Sequence, residues 1–227
     1  MSRYYLLLLA SLFWAFGAFA QPENTTPTWG FHAGPGFSRV VDDEALDDHA
    51  RKLFPAAGIF GNFYFTERLS VQAELDFVPG GAKFASHELT MNVTYLQLPL
   101  LVRYAFFEDP KVFLQGGVYG GYLLGAKTKG VYADLEREEN VNESITERIQ
   151  PLDYGFCMGI GVQGRFSASL DLFAELRYHV GLRNIVKEPG SDRYNLSLPM
   201  RYPFEYDKPK VQVTFLRVGF IVYLYAR

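Results

Sequence analysis

The chain has one cysteine, Cys157, in 227 residues. No intramolecular disulfide can form, so stability has to come from strand pairing and packing. A catalytic thiol would need a neighbouring base and an open cleft, and an inert, buried Cys157 is the expected state. Histidine is equally scarce, at His32, His49, His87 and His179. A lipid hydrolase needs a serine and a histidine close together, with an acid orienting the histidine. His32 and His179 fall on the polar parity of their strands without a serine at usable spacing, and His87 merely follows Ser86 in a loop. Catalysis is therefore not expected.

There is no dense basic run and the net charge is −3, which argues against a nucleic-acid partner. A spaced, turn-forming calcium loop is missing too. Asp42, Asp43, Glu44, Asp47 and Asp48, and later Asp134, Glu136, Glu138, Glu139, Glu143 and Glu147, read as solvated charge runs. No metal or cofactor is expected. In the first of these runs Leu46, Ala50 and Leu53 fall on one side of a short amphipathic helix.

One apolar run stands out, Tyr4 to Phe16 in MSRYYLLLLASLFWAFGAFAQ, with Arg3 before it and Ala18-Phe19-Ala20 after it. A basic residue, a greasy core and a small-x-small pattern in that order describe a secretory signal peptide over residues 1–20, too short for an anchor. Residues 21–227 then form one exported domain. Twenty Phe, fifteen Tyr and twenty-one Gly lean towards strands.

Eight segments read as strands, at about 29–39, 56–66, 69–78, 92–106, 111–126, 152–165, 169–183 and 211–225. In SLDLFAELRYHVGL (Ser169–Leu182) Leu170, Leu172, Ala174, Leu176, Tyr178, Val180 and Leu182 alternate with Asp171, Phe173, Glu175, Arg177, His179 and Gly181. Successive strand side chains point to opposite faces, so one face is greasy and the other ionic. Short links near 67–68, 107–110 and 166–168 alternate with long ones near 40–55, 79–91, 127–151 and 184–210. This layout predicts an all-β fold: an eight-stranded antiparallel transmembrane β-barrel, an up-and-down meander with short periplasmic turns and long extracellular loops.

A soluble lipocalin-like binder, the alternative fold, would turn its apolar set inward. Here the polar set is too poor in hydrocarbon to make such a core. It includes Glu74, Asp76, Arg103, Arg165, Asp171, Glu175, Arg177, Arg183 and Arg217, which are expected to pair inside the lumen because an unpaired buried ion is costly. Gly117, Gly121, Gly159 and Gly161 would make room for the long side chains. Two aromatic girdles are expected to bound the lipid-facing band. Trp29, Phe63, Phe65, Tyr104, Phe106 and Tyr225 would form the short-turn girdle, and Phe77, Tyr95, Tyr122, Tyr154 and Tyr178 the other.

The signal peptide ending in Ala-Gln, WGFHAGPGFS at Trp29–Ser38, YLQLPLLVRY at Tyr95–Tyr104 and FLQGGVYGGYLLG at Phe113–Gly125 together resemble the PorT-like outer-membrane β-barrel family of Bacteroidota. The resemblance spans essentially all of residues 21–227 and implies a barrel in the cell outer membrane. In that family a Pro such as Pro99 within a strand marks a local bulge. The ending RVGFIVYLYAR is similar to the signal read by outer-membrane assembly machinery, departing from it in its last residues, Ala226-Arg227. Some relatives serve secretion and gliding, so an envelope, interaction or secretion-associated role is implied.

The fourth long link carries Arg193, Tyr194, Arg201, Tyr202, Phe204 and Tyr206, a tyrosine and arginine mixture suited to a binding surface for a protein partner. The expected protein is a non-enzymatic monomer with a filled lumen, surrounded by outer-membrane lipid and lipopolysaccharide. The alternatives are a small diffusion pore and a lipid A-modifying enzyme.

Overall fold

The computed structural model describes residues 26–41, 49–84, 89–107, 110–134, 137–187 and 210–223. The strands in these residues are β1 (Thr28–Val41), β2 (His49–Ala50), β3 (Lys52–Tyr64), β4 (Leu69–Phe84), β5 (Leu89–Ala105), β6 (Lys111–Asp134), β7 (Arg137–Ser144), β8 (Leu152–Ser167), β9 (Leu170–Gly181) and β10 (Lys210–Tyr223). Eight of them, all but β2 and β7, pair with their chain neighbours, and β1 pairs antiparallel with β10 to close the ring. A path stepping across the ladders from Thr28 runs through Asn62, Gln72, Leu101, Gly117, Cys157, His179 and Val213. It returns to β1 at Ser38, ten residues further along. Eight strands with that stagger tilt by about 40° and leave a bore that side chains can fill.

Alternation decides which side chains enter it. Along β8, Asp153, Gly155, Cys157, Gly159, Gly161 and Gln163 are buried, while Leu152, Tyr154, Phe156, Met158, Ile160 and Val162 are exposed. Ten residues at a 40° tilt give the outward set an axial height of about 25 Å, the apolar thickness of an outer-membrane barrel. Trp29, Phe65, Tyr104 and Phe106 stand exposed at the short-turn end, and Phe77, Tyr122 and Tyr154 at the other. Phe63 is half-buried and packs edge-on against Trp29, and Tyr178 is half-buried. Tyr95 departs from the expected girdle: it shares the parity of Gln97, Leu101 and Arg103, points inward, and donates its hydroxyl to the Gln150 carbonyl at 3.2 Å. Tyr225 lies outside the described residues.

The strands run further than the apolar pattern suggests. β4 continues through Pro79 and Gly80, with Gly81 at a φ of 129°, and pairs with β5 up to Phe84↔Leu89. Nine of the thirteen residues expected in the second loop, 79–84 and 89–91, are therefore strand. The third is a hairpin too, since β6 runs on to Asp134 and pairs with β7. No helix holds Ala50 and Leu53. Ala50 belongs to β2, on the edge of the β4 extension, and Leu53 to β3, opposite Phe37 of β1; in both places a neighbouring strand offers backbone that a strand satisfies and a helix does not.

Pro99 makes no bulge. The β4–β5 ladder passes from Ala73↔Leu100 to Asp76↔Gln97 in unchanged register, omitting the rungs at the residue that lacks an N–H. The bulge sits instead at Thr94/Tyr95 against β6, where Leu124 is the extra residue.

Two kinds of packing fill the lumen. Its middle is polar. Towards the long loops, Met91, Val93, Tyr95 and Leu123 meet Ile145, Ile149, Ile185 and Val186 from the segments after β7 and β9. Those segments hold each other through Gln150 N–H to the Ile185 carbonyl at 2.7 Å and Lys187 N–H to the Arg148 carbonyl at 3.0 Å.

Leu176 faces lipid midway along β9 and is 52% exposed. Leu176→Arg should cost about 2–4 kcal/mol, as a cation set against mid-bilayer hydrocarbon does. Urea unfolding in lipid vesicles reads this directly, and no second substitution inside the lumen should recover it.

Candidate functional site in the lumen

Period two along β4 puts Gln72, Glu74 and Asp76 on the inner face, and along β9 it does the same for Asp171, Glu175, Arg177 and His179. β4 and β9 are four strands apart in either direction around the ring, so they face each other across the bore. Arg177 spans it. One of its amino groups donates to Glu74 Oε2 at 2.7 Å, while its Nε and other amino group hold Glu175 at 2.6 and 3.2 Å on its own strand. Arg217, from β10, donates to the same Glu74 oxygen at 3.0 Å and stands 3.7 Å from Asp76. His32, from β1, places Nε2 3.0 Å from Asp76 and 3.7 Å from Glu74, its ring stacked on Phe60 at 5.9 Å. All six groups are at least 96% buried.

Amide side chains complete the cluster. Gln72 donates to Glu74, and Gln115 donates to Glu175 at 2.6 Å. Gln163 bridges to a second group, accepting from Arg103 and donating to Asp171 at 2.7 Å; the Tyr223 hydroxyl also donates to Asp171 at 2.7 Å. Arg103 stands over Phe113 with its guanidinium carbon 3.7 Å from the ring centre, which compensates a cation that has no carboxylate partner among the described residues. Nearer the long loops, Tyr119 donates to Asp153 at 3.1 Å and His179 is held between Tyr119 and Phe215.

Glycine is what lets these groups reach one another. A Cβ on Gly159 would overlap Glu175 Oε1, and one on Gly58 would overlap Asp76 Oδ1 and crowd the His32 ring at 2.8 Å. Gly117 and Gly161 likewise have no space for a Cβ, whereas Gly121 has ordinary contact distances around it.

Of the ions expected in the lumen, Glu74, Asp76, Glu175, Arg177 and Arg217 form one cluster and Arg103 and Asp171 a second, joined through Gln163. Arg165 does not join them. It has the right parity but lies at the end of β8, where the side chain emerges exposed beside the short turn. Arg183 is also outside the cluster. It follows β9 and donates to Gln150 at 3.1 Å, tying down the apolar cap. Arg193, Tyr194, Arg201, Tyr202, Phe204 and Tyr206 lie outside the described residues. Sequence reasoning missed His32, Gln72, Gln115, Gln163 and Tyr223 as members, although strand parity marks each as inward. Cys157 is free and buried, as expected.

A His, Glu and Asp this close invite a metal, and His32, Glu74 and Asp76 offer ligand atoms within 4.8 Å of one another. Glu74 Oε2 already accepts from two guanidinium groups, so those lone pairs are spent, and the arrangement is that of an ion-pair network.

Glu175→Leu should remove both bonds on the near side of Arg177 and leave a buried guanidinium half-paired, costing about 3–5 kcal/mol in vesicle unfolding. Adding Arg177→Met should recover part of that loss. A double variant as unstable as the sum of the two single ones would exclude coupling.

In sequence, no curated protein matches the chain. Solved structures similar to it include Ail, the attachment invasion locus protein of Yersinia pestis, at 14% identity over 87% of this chain and 99% of that one, with a TM-score of 0.42. Neisserial surface protein A is 12% identical over the same shares, with a TM-score of 0.45. The family described as outer membrane protein beta-barrel domain matches residues 19–187. That range takes in every strand from β1 to β9, so the match and the closed ring describe one object, and the chain belongs to the outer membrane protein beta-barrel domain family and resides in the outer membrane.

Proposed function

We propose that this protein is a non-enzymatic outer-membrane barrel with a side-chain-filled lumen, acting through its long-loop end as an envelope or secretion-associated component of the PorT-like kind. The observation that carries this reading is the Arg177–Glu74 contact, 2.7 Å across the diameter of the ring. Ions or solutes would have to part a fully buried ion pair and then pass the apolar cap of Ile145, Ile149, Ile185 and Val186. His32, the histidine with an acid beside it, is 2% exposed inside this seal, which supports a role in packing rather than catalysis.

The working surface is then the long-loop end, with Arg193, Tyr194, Arg201, Tyr202, Phe204 and Tyr206 as its candidate contacts for a protein partner. The barrel works as a monomer in this reading, and the assembly machinery of the membrane is its partner during insertion.

Reconstituted into planar bilayers, the purified protein should show no reproducible open channel, and a stable conductance would replace this reading with a diffusion pore. The long-loop end should face out of the cell. With Cys157 buried, cysteine introduced at exposed Glu143 should react with an impermeant maleimide on intact cells, and cysteine at exposed Glu67 should not. The reverse pattern would invert the orientation.

A further inference from the structure

We propose that the outer wall of the barrel, just beyond its long-loop girdle, carries a binding site for a phosphorylated glycolipid headgroup, built from Lys83, Lys127 and Lys129 around Thr90 and Asn92, with half-buried Lys52 holding Asn92 from the inner side of β3. The strand registers assemble it. Thr90 of β5 is opposite Lys83 on β4 and opposite Lys129 on β6, and Asn92 is opposite Lys127. Lys52 reaches the same place from β3, its ammonium 2.8 Å from Asn92 Oδ1 and 2.6 Å from the Gly80 carbonyl.

Lys83, Lys127 and Lys129 are exposed, and their inward neighbours Ala82 and Thr128 are fully buried, so the lysines stand on the outer face. Among the described residues no acid answers them on that face. Across β7 the residues opposite Lys127 and Lys129 are Ser144 and Asn142, while Glu143, itself exposed, is opposite Thr128 and so points to the other face of the β6–β7 hairpin. Among the described residues none of the four lysines has a salt bridge. Lys83 and Lys129 flank Thr90 from two strands apart, and Lys127 lies two residues from Lys129 on β6, so three like charges gather on one patch and an anion between them would relieve their repulsion.

The shape beneath them identifies which anion. The bulge at Thr94/Tyr95 pushes Leu124 outward and opens a cavity of about 400 Å³ lined by Phe77, Asn92, Thr94, Leu124, Lys127 and Lys129. Its lower wall is apolar and continuous with the lipid-facing band; its upper wall carries ammonium, amide and hydroxyl groups. Asn92 pairs with Gly81, four residues along β4 from Phe77, which raises the polar groups about 10 Å above the girdle. A ligand with hydrocarbon below and phosphate above, at headgroup depth, fits both walls, and lysine ammonium and side-chain donors are what phosphate oxygens take. Free phosphate would use only the upper wall.

The site rests on the outer-membrane setting and on the orientation proposed above. Unfolding temperature of the full chain in zwitterionic micelles, followed by heat-modifiable gel mobility, tests it with three probes: bisphosphorylated lipid A, the same lipid dephosphorylated, and inorganic phosphate. Bisphosphorylated lipid A should raise the unfolding temperature saturably, and the other two should not at the same concentration. K127Q/K129Q should weaken the response about thirtyfold, and K127R/K129R should keep most of it. All these positions are exposed, so the variants should fold. An equal response to dephosphorylated lipid, a full response to phosphate alone, or an unchanged K127Q/K129Q would each overturn the assignment. Micelle binding does not depend on which end of the barrel faces out, so its failure and a reversed labelling pattern are separate results.

Discussion

Arg177 reaching Glu74 across the ring is the contact around which the interior is arranged. A carboxylate on β4 and a guanidinium on β9 can touch only if the ring is narrow, and eight strands staggered by ten residues make it so. Once both ions are out of water, every remaining lone pair and N–H needs a partner nearby. Glu175 and Arg217 supply the charges, and Gln72 and Gln115 supply neutral donors where another ion would upset the balance. Small inner residues follow from the same demand. Gly58 and Gly159 sit where a methyl group would push Asp76 or Glu175 out of reach.

The outside obeys a simpler rule, and the two faces share a backbone without sharing chemistry. Leu170, Leu172 and Leu176 need only be apolar, because lipid accepts any hydrocarbon shape. Their neighbours Asp171, Phe173, Glu175 and Arg177 must interlock. A change of side-chain shape should therefore be tolerated on the outer set and felt on the inner one. Beyond the hydrocarbon this division ends, as the inner face turns apolar at Met91 and Val93 and the outer face takes on Lys127 and Lys129.

Strand number, closure and the identity of the inner face were legible because a period of two survives in every membrane-crossing segment. Depth was not, since parity tells which way a side chain points and not how far along the axis it lies. Arg165 and Arg183 share the parity of the cluster but stand at opposite ends of the barrel, one exposed and one on Gln150. The apolar cap was hidden for another reason. Ile145, Ile149 and Ile185 lie in connections with no periodicity, and only the folded chain brings them against Met91 and Tyr95. The extra lengths of β4 and β6 escaped because their sequences, rich in Gly, Lys and Thr, lose the greasy alternation once they leave lipid, while the backbone ladder continues.

Closure of the ring has a consequence for how the chain is made. Thr28 is opposite Tyr223, so of the eight ring strands the one made latest is the one the earliest has been waiting for. Until β10 arrives, β1 is a bare edge, and bare edges pair with whatever strand they meet. The β1–β10 ladder is interrupted between Ala33↔Val218 and Gly36↔Phe215, where Gly34 and Pro35 make no rung. A proline in the middle of that edge shortens any stretch of β1 that a wrong partner could zip along. The missing rungs cost the finished barrel little, because its interior ties hold the ring from within, and they guard the unfinished one during the interval when it has no interior at all.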